Sequence, residues 1–131
     1  MKDGKVVLAI DFDNTIVENA FPEVGALKLH AKEVLSALDK SGCKIIIHTC
    51  RTNPTINTNR KLRKKYLNDM VRCLKDNCIP YDEIWTGKGK PLCHLFIDDC
   101  ALPFISWFQV LADITGMIKV MNNKGDANVK V

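Results

Sequence analysis

The chain has no Cys-x-x-Cys pair, no apolar run of membrane-spanning length, and no charged start leading into an apolar segment with a small-residue cleavage site. It also lacks internal repeats, low-complexity tracts and an interdomain linker. Each absence removes a class. The six cysteines, Cys43, Cys50, Cys73, Cys78, Cys93 and Cys100, sit mostly in or beside apolar runs. They are expected as buried or half-buried free thiols, not as disulfides or a zinc site. With no leader or spanning segment, a cytoplasmic location is expected. With no linker, a length of 131 residues is expected to form one domain, 1–131, with its core over about 5–115 and a tail at 117–131. A hydrophobic fraction of 47% against 26% charged residues excludes disorder. A net charge of +4 favours anionic ligands without requiring nucleic acid, and small phosphorylated compounds fit as well as a polynucleotide.

What is present begins with five consecutive apolar residues, Val6 to Ile10, followed by Asp11-Phe12-Asp13-Asn14-Thr15. A β-branched apolar run without Gly or Pro reads as a buried strand, and side chains two apart on a strand share a face. Asp11 and Asp13 therefore fall together at its carboxyl end, where two neighbouring anions are most easily explained by a hard divalent cation. The alternative is a polar turn, in which Asp and Asn are ordinary residues. Leu27, Ala31, Val34, Leu35 and Leu38 recur at helical spacing from about Leu27, and Gly42 closes the segment. Cys43 to Ile47 is a second strand, opening into His48-Thr49-Cys50-Arg51. A long helix is expected from roughly Thr58 to Asp76, with Leu62, Tyr66, Met70, Cys73 and Leu74 inward and Arg60, Lys61, Lys64, Lys65 and Arg72 outward. Pro80 ends it. A short strand at 82–85, a basic loop at 86–91 and an apolar run His94–Ile97 ending in Asp98-Asp99 follow. Phe104, Trp107, Phe108, Leu111 and Ile114 suggest a last helix stopping near Gly116, and the tail reads as a hairpin or as a prolonged helix.

Strands alternating with helices imply an α/β fold with a parallel sheet and right-handed crossovers. In such a sheet the strand ends converge at one edge. That edge would gather Asp11, Asp13 and Thr15, then Thr49 and Arg51, then Asp98 and Asp99, with Lys90 on the loop entering the last strand. Four carboxylates, a hydroxyl and a lysine there would make a magnesium site with a phosphate subsite beside it. His48 and His94 flank strands and read as packing or edge residues.

These residues resemble the haloacid dehalogenase superfamily, whose pattern is Asp-x-Asp-x-Thr/Val, a Thr or Ser ending a later strand, a Lys, and an acidic pair after another strand. More narrowly, the chain looks like the small members without a cap, in which a Lys lies eight positions before a Phe-Ile-Asp-Asp run's first Asp, as Lys90 lies before Asp98. The resemblance covers Lys5 to roughly Leu111. Asn14 stands where many members have Gly, and Lys88 could serve in place of Lys90. The resemblance implies a single Rossmann-like three-layer α/β/α domain with a mainly parallel sheet and no cap domain. It implies a magnesium-dependent phosphatase in which Asp11 attacks phosphorus and Asp13 protonates the leaving alkoxide, then deprotonates water. Thr49 and Lys90 would stabilise the transferring group. Mg2+ would be held by Asp11, the backbone carbonyl of Asp13 and Asp98 directly, with Asp99 a ligand through water or an orienter of Lys90. Apart from the resemblance, Thr15 is expected at the substrate, and Arg51, beside the Thr49 loop, is expected either to hold a second anionic group of the substrate or to make a surface pairing.

The intervals that could hold a cap are short, so an open crevice is expected, covered by a flap at 19–26, the loop at 52–57 or a second copy of the chain. The expected partner is a phosphorylated metabolite, a nucleotide or a polynucleotide end, with no membrane. The competing class is a catalytically weak or inactive module of this fold that binds nucleic acid or a protein through the basic helix.

Overall fold

Two β-branched runs form the centre of the sheet. Strand β1 (Val7–Ile10) is buried at every position, and β2 (Lys44–Ile47) pairs with it in parallel, from Val7 opposite Lys44 to Ile10 opposite Ile47. Strand β3 (Glu83–Ile84) lies beside β2 and β4 (Leu95–Ile97) beside β1, all parallel, in the order β3-β2-β1-β4. The computed structural model describes residues 4–124, and the Rossmann-like α/β arrangement is the one expected. The chain moves outward from β1 through β2 to β3, then returns to the far side of β1 as β4. Open parallel sheets bind ligands outside the carboxyl ends where the order reverses. Here that crevice falls between β1 and β4, and Asp11 and Asp98 are the first residues after those strands.

Helix α1 (Ala31–Lys40) ends at Ser41 and Gly42, whose φ of 90° is the left-handed conformation that glycine adopts without strain. It starts later than the spacing from Leu27 predicts, because His30 takes a left-handed φ of 66° and Leu27 is used instead in a bridge to Val17. Leu35 is buried, but Val34, expected inward, is exposed. Helix α2 (Arg60–Asp76) is capped by Asn59, whose side chain accepts from the Leu62 N–H at 3.1 Å. Its buried stripe is Tyr66, Met70 and Leu74, at the expected spacing of four, with Leu62 and Cys73 half-buried.

Leu35, Met70 and Leu74 join Leu8, Ile10, Ile45 and Ile47 in one core cluster, so α1 and α2 cover the same face of the sheet. This is the outcome of two right-handed crossovers running in the same direction. On the opposite face, Val7 and Ile46 lie with Trp85, Pro91 and Leu92 of the β3–β4 connection, which contains no helix. Strand β4, expected as an apolar run, is exposed along its length, with Leu95 at 58%. It is an edge strand, and none of its residues joins the α1–α2 core cluster, which draws on β1 and β2 with Ile84 of β3 packed against it.

The chain divides into two compact units, one ending at Asp99 and the other beginning at Cys100. The second contains helix α3 (Trp107–Asn123), whose N-terminus is capped by Ser106 accepting from the Gln109 N–H at 3.2 Å. The helix does not stop near Gly116 but passes through it, so the described part of the tail follows the helical alternative. Residues 128–131, the far strand of the hairpin alternative, lie outside the described residues. No described helix is long and apolar enough to cross a membrane. Cys43, Cys73 and Cys93 are half-buried thiols, as expected, but Cys50, Cys78 and Cys100 are exposed.

Candidate active site

Asp11 is fixed by its backbone. Its N–H donates to the Ile97 carbonyl at 2.9 Å, carrying the β1–β4 ladder one residue further and setting the side chain at the crevice. The chain then turns tightly: the N–H groups of Thr15, Ile16 and Val17 all donate to the carbonyl of Phe12, which is itself fully buried. Asn14 occupies the turn at φ 58°, a conformation tolerated by Asn and Gly. That tolerance accounts for Asn at this place, and the side chain adds a link that Gly lacks, donating to Asp99 Oδ2 at 2.9 Å. The turn also brings Thr15 back onto Asp11, with Oγ1 donating to Oδ2 at 3.2 Å. Thr15, expected at the substrate, is thus engaged with the first aspartate.

The Asp11 carboxyl is pushed up to about 6, chiefly by burial and then by the negative charge of Asp98, with Asp99 adding to the effect. Hydrogen bonds from the Phe12 backbone and Thr15 oppose the rise without cancelling it. The Asp98 and Asp99 charges thus reach Asp11 across the crevice, and an acidic edge of this kind suits a hard divalent cation.

The Asp13 side chain belongs to a different cluster. Its two oxygens accept from Arg51 Nε and Nη2, each at 2.7 Å, in a bidentate pair. Arg51 is only 2% exposed; it also donates to the carbonyls of Pro22 at 2.8 Å and Glu23 at 2.7 Å. The rings of Phe21, Tyr66 and Phe12 pack over its guanidinium at 4.9, 5.2 and 5.8 Å. Arg51, expected to hold an anionic group of the substrate or to make a surface pairing, has its donors turned to Asp13 and to the flap. Likewise the Asp13 carboxylate faces Arg51, which leaves only its backbone carbonyl for a metal. Thr49 is buried at the end of β2, where Oγ1 accepts from the Arg51 N–H at 3.2 Å, a contact that uses a lone pair and not the hydroxyl proton.

The loop carrying Lys90 is tied down from the β2 side. Thr52 Oγ1 donates to the Trp85 carbonyl at 2.8 Å, and both Asn53 Nδ2 and Trp85 Nε1 donate to the Gly89 carbonyl at 3.1 Å. Lys90 Nζ lies 5.4 Å from the centre of the Phe96 ring, which the His48 ring approaches at 5.7 Å. Burial holds His48 below its usual range; the Asp98 carboxylate opposes this, and the Lys90 ammonium adds to it. Asp98 and Lys90 thus both act on His48, and Lys88 and Lys90 are both exposed on the loop. His94 is an edge residue, as expected, its Nδ1 accepting from the Val7 N–H at 2.8 Å. The contributions of Asn14, His48, Thr52 and Asn53 were not visible in the motif. The one available signal was Asn14, a residue suited to positive φ directly after a strand.

No family model matches the chain, and no curated protein is similar to it. Two solved structures share its fold. One, a conserved protein from Bacteroides thetaiotaomicron, is 20% identical with a TM-score of 0.58 over 96% of this chain and 99% of that one. The other, a structural-genomics target from Vibrio cholerae, is 25% identical with a TM-score of 0.53 over 86% and 98%.

Proposed function

We propose that the chain is a magnesium-dependent phosphatase of the haloacid dehalogenase type, hydrolysing a phosphomonoester through an aspartyl phosphate on Asp11. The observation that carries this reading is the convergence of Asp11 with Asp98 and Asp99 at the switch-point crevice, close enough that Asp98 helps to lift the Asp11 carboxyl to about 6. Asp11, Asp98, Asp99 and the Asp13 backbone carbonyl would hold Mg2+, which supplies positive charge against the phosphoryl oxygens when bound.

The chain's own groups divide the work. Above about pH 6 Asp11 is mostly ionised and attacks phosphorus; the new Asp11 O–P bond forms as the bond to the leaving oxygen breaks. In this reading Asp13 takes up a proton from solvent and leaves Arg51 before passing that proton to the leaving oxygen. In the second step Asp13 takes a proton from water, the water oxygen bonds to phosphorus, and the Asp11 O–P bond breaks to release phosphate. Lys90 and the Thr49 hydroxyl stabilise charge on the transferring group.

Purified protein with magnesium should release phosphate from a generic aryl phosphate, and Asp11→Asn should lower turnover at least about a thousandfold, as loss of a nucleophile does. Chelation with EDTA should abolish release, and magnesium should restore it. An absence of turnover across sugar phosphates, nucleotides and phosphorylated oligonucleotides counts against the reading.

A further inference from the structure

Arg51, which holds Asp13, also lines a cavity of about 250 Å³, walled besides by Phe21 of the flap, Cys50 after β2, Ile56 and Asn57 of the next loop, and Leu62 and Tyr66 of α2. We infer that this cavity receives a planar ring carried by the leaving group of the phosphomonoester, an inference that rests on the phosphatase reading.

Three observations lead there. The first is direction. In an in-line displacement the leaving oxygen lies opposite the attacking Asp11 oxygen, and it must meet the Asp13 proton. The organic part of the substrate therefore departs on the Asp13 side, and Arg51 connects that side to the cavity, gripping Asp13 at 2.7 Å while forming part of the wall. The second is chemistry. No carboxylate lines the cavity, and the Arg51 guanidinium donates to Asp13, Pro22 and Glu23. Beside Asn57 and the engaged Arg51, the walls are apolar or aromatic: the Phe21 and Tyr66 rings stand 5.6 Å apart at 57°, and Phe21 and Ile56 remain 58% and 62% exposed. Aromatic and apolar side chains held in water beside a catalytic edge gain from covering by another ring. The third is size. Sites for whole drug-sized ligands run to about 300–1,000 Å³, so this cavity suits one ring system with the phosphate left outside it. A larger cavity of about 390 Å³ between the flap and α2 does not compete, since Glu23, Asp69, Arg72 and Asp76 line it and Asp13 and Arg51 do not.

The test compares substrates that lose the same kind of primary alkoxide, so that bond breaking is matched. Values of kcat/KM are measured for adenosine 5′-monophosphate against ribose 5-phosphate, and for benzyl phosphate against ethyl phosphate. The ring-bearing member should be favoured about tenfold in at least one pair, equivalent to about 1.4 kcal/mol. A preference confined to the first pair identifies a nucleobase, and one confined to the second a simple aryl group. Ile56→Glu, which brings a charge to the exposed rim, and Phe21→Ala, which removes a wall, should each bring the ratio towards one. Ratios near one in both wild-type pairs overturn the inference and leave the phosphatase standing, as does a preference that survives both variants. If none of the four compounds nor a generic aryl phosphate is cleaved, the phosphatase reading fails and this inference falls with it.

Discussion

A guanidinium 2% exposed is tolerable only when its donors meet acceptors, and Arg51 meets them in two unrelated places, the Asp13 carboxylate and the flap carbonyls of Pro22 and Glu23. One residue thereby fixes the second aspartate of the motif and the segment that lies over it. Arg is the residue for this because its planar fork matches a carboxylate, which the point charge of Lys does not. Arg51→Met keeps much of the volume beneath the Phe21 and Tyr66 rings but leaves Asp13 without its cation. Removing one member of a buried ion pair costs roughly 3–5 kcal/mol. Urea unfolding at neutral pH should show a loss of that order, with most of it recovered in the double variant Arg51→Met, Asp13→Leu, where no orphaned charge remains. If Arg51→Met alone unfolds as the wild type does, the pair is not a structural clamp.

At the scale of elements, the flap and α3 show how differently glycine acts in two settings. The flap leaves the fold at Glu18 and returns at Ala26, where the Glu18 N–H donates to the Ala26 carbonyl at 2.7 Å. A Cβ on Gly25 would run into the Glu18 carbonyl, which is backbone and cannot swing aside. Gly116 lies mid-helix in α3, exposed, with nothing within 4 Å of where a Cβ would stand. Gly25→Ala should therefore destabilise by about 1–3 kcal/mol, as overpacking does, whereas Gly116→Ala should stabilise α3 by about 0.5–1 kcal/mol. Thermal unfolding followed by far-ultraviolet circular dichroism should show opposite shifts. The same contrast explains what the sequence made legible. Val7–Ile10 and Lys44–Ile47 were readable because β-branched runs bounded by polar residues have few other uses, and the stripe of Tyr66, Met70 and Leu74 because period four leaves no ambiguity. The end of α3 was not, because glycine stops a helix only where it takes the left-handed conformation, as Gly42 does. The exposure of β4 was equally hidden, since an apolar run does not declare whether it will be central or an edge. Of the site, the meeting of Asp11 with Asp98 and Asp99 followed from strand ends in a parallel sheet. The Asp13–Arg51 clamp did not, because it depends on flap carbonyls that no periodicity locates.

Across the whole molecule, a chain with net charge +4 nonetheless gathers Asp11, Asp98 and Asp99 at one edge. Stability is therefore linked to protons and to metal through the same few oxygens. Asp11 titrates at about 6 in the fold against an ordinary 3.8, so the folded state binds the proton more tightly than the unfolded state does. The sign follows: below 3.8 both states are protonated and the contribution of Asp11 is fully present, and it is lost as pH rises through about 6. In metal-free protein the wild type should thus lose stability relative to Asp11→Asn between about pH 4 and pH 7, because Asn carries no charge for burial to penalise or for Asp98 to repel. Magnesium should reverse the loss in the wild type at neutral pH, reaching about 2.7 kcal/mol at 100 times its Kd. It should do much less for Asp98→Asn, in which one expected ligand is weakened and the repulsion is already relieved. Unfolding temperatures measured over this pH range, with EDTA and with magnesium, separate the two linkages. A wild type that tracks Asp11→Asn at every pH, or that magnesium leaves unmoved, means that these carboxylates share an edge without forming a site.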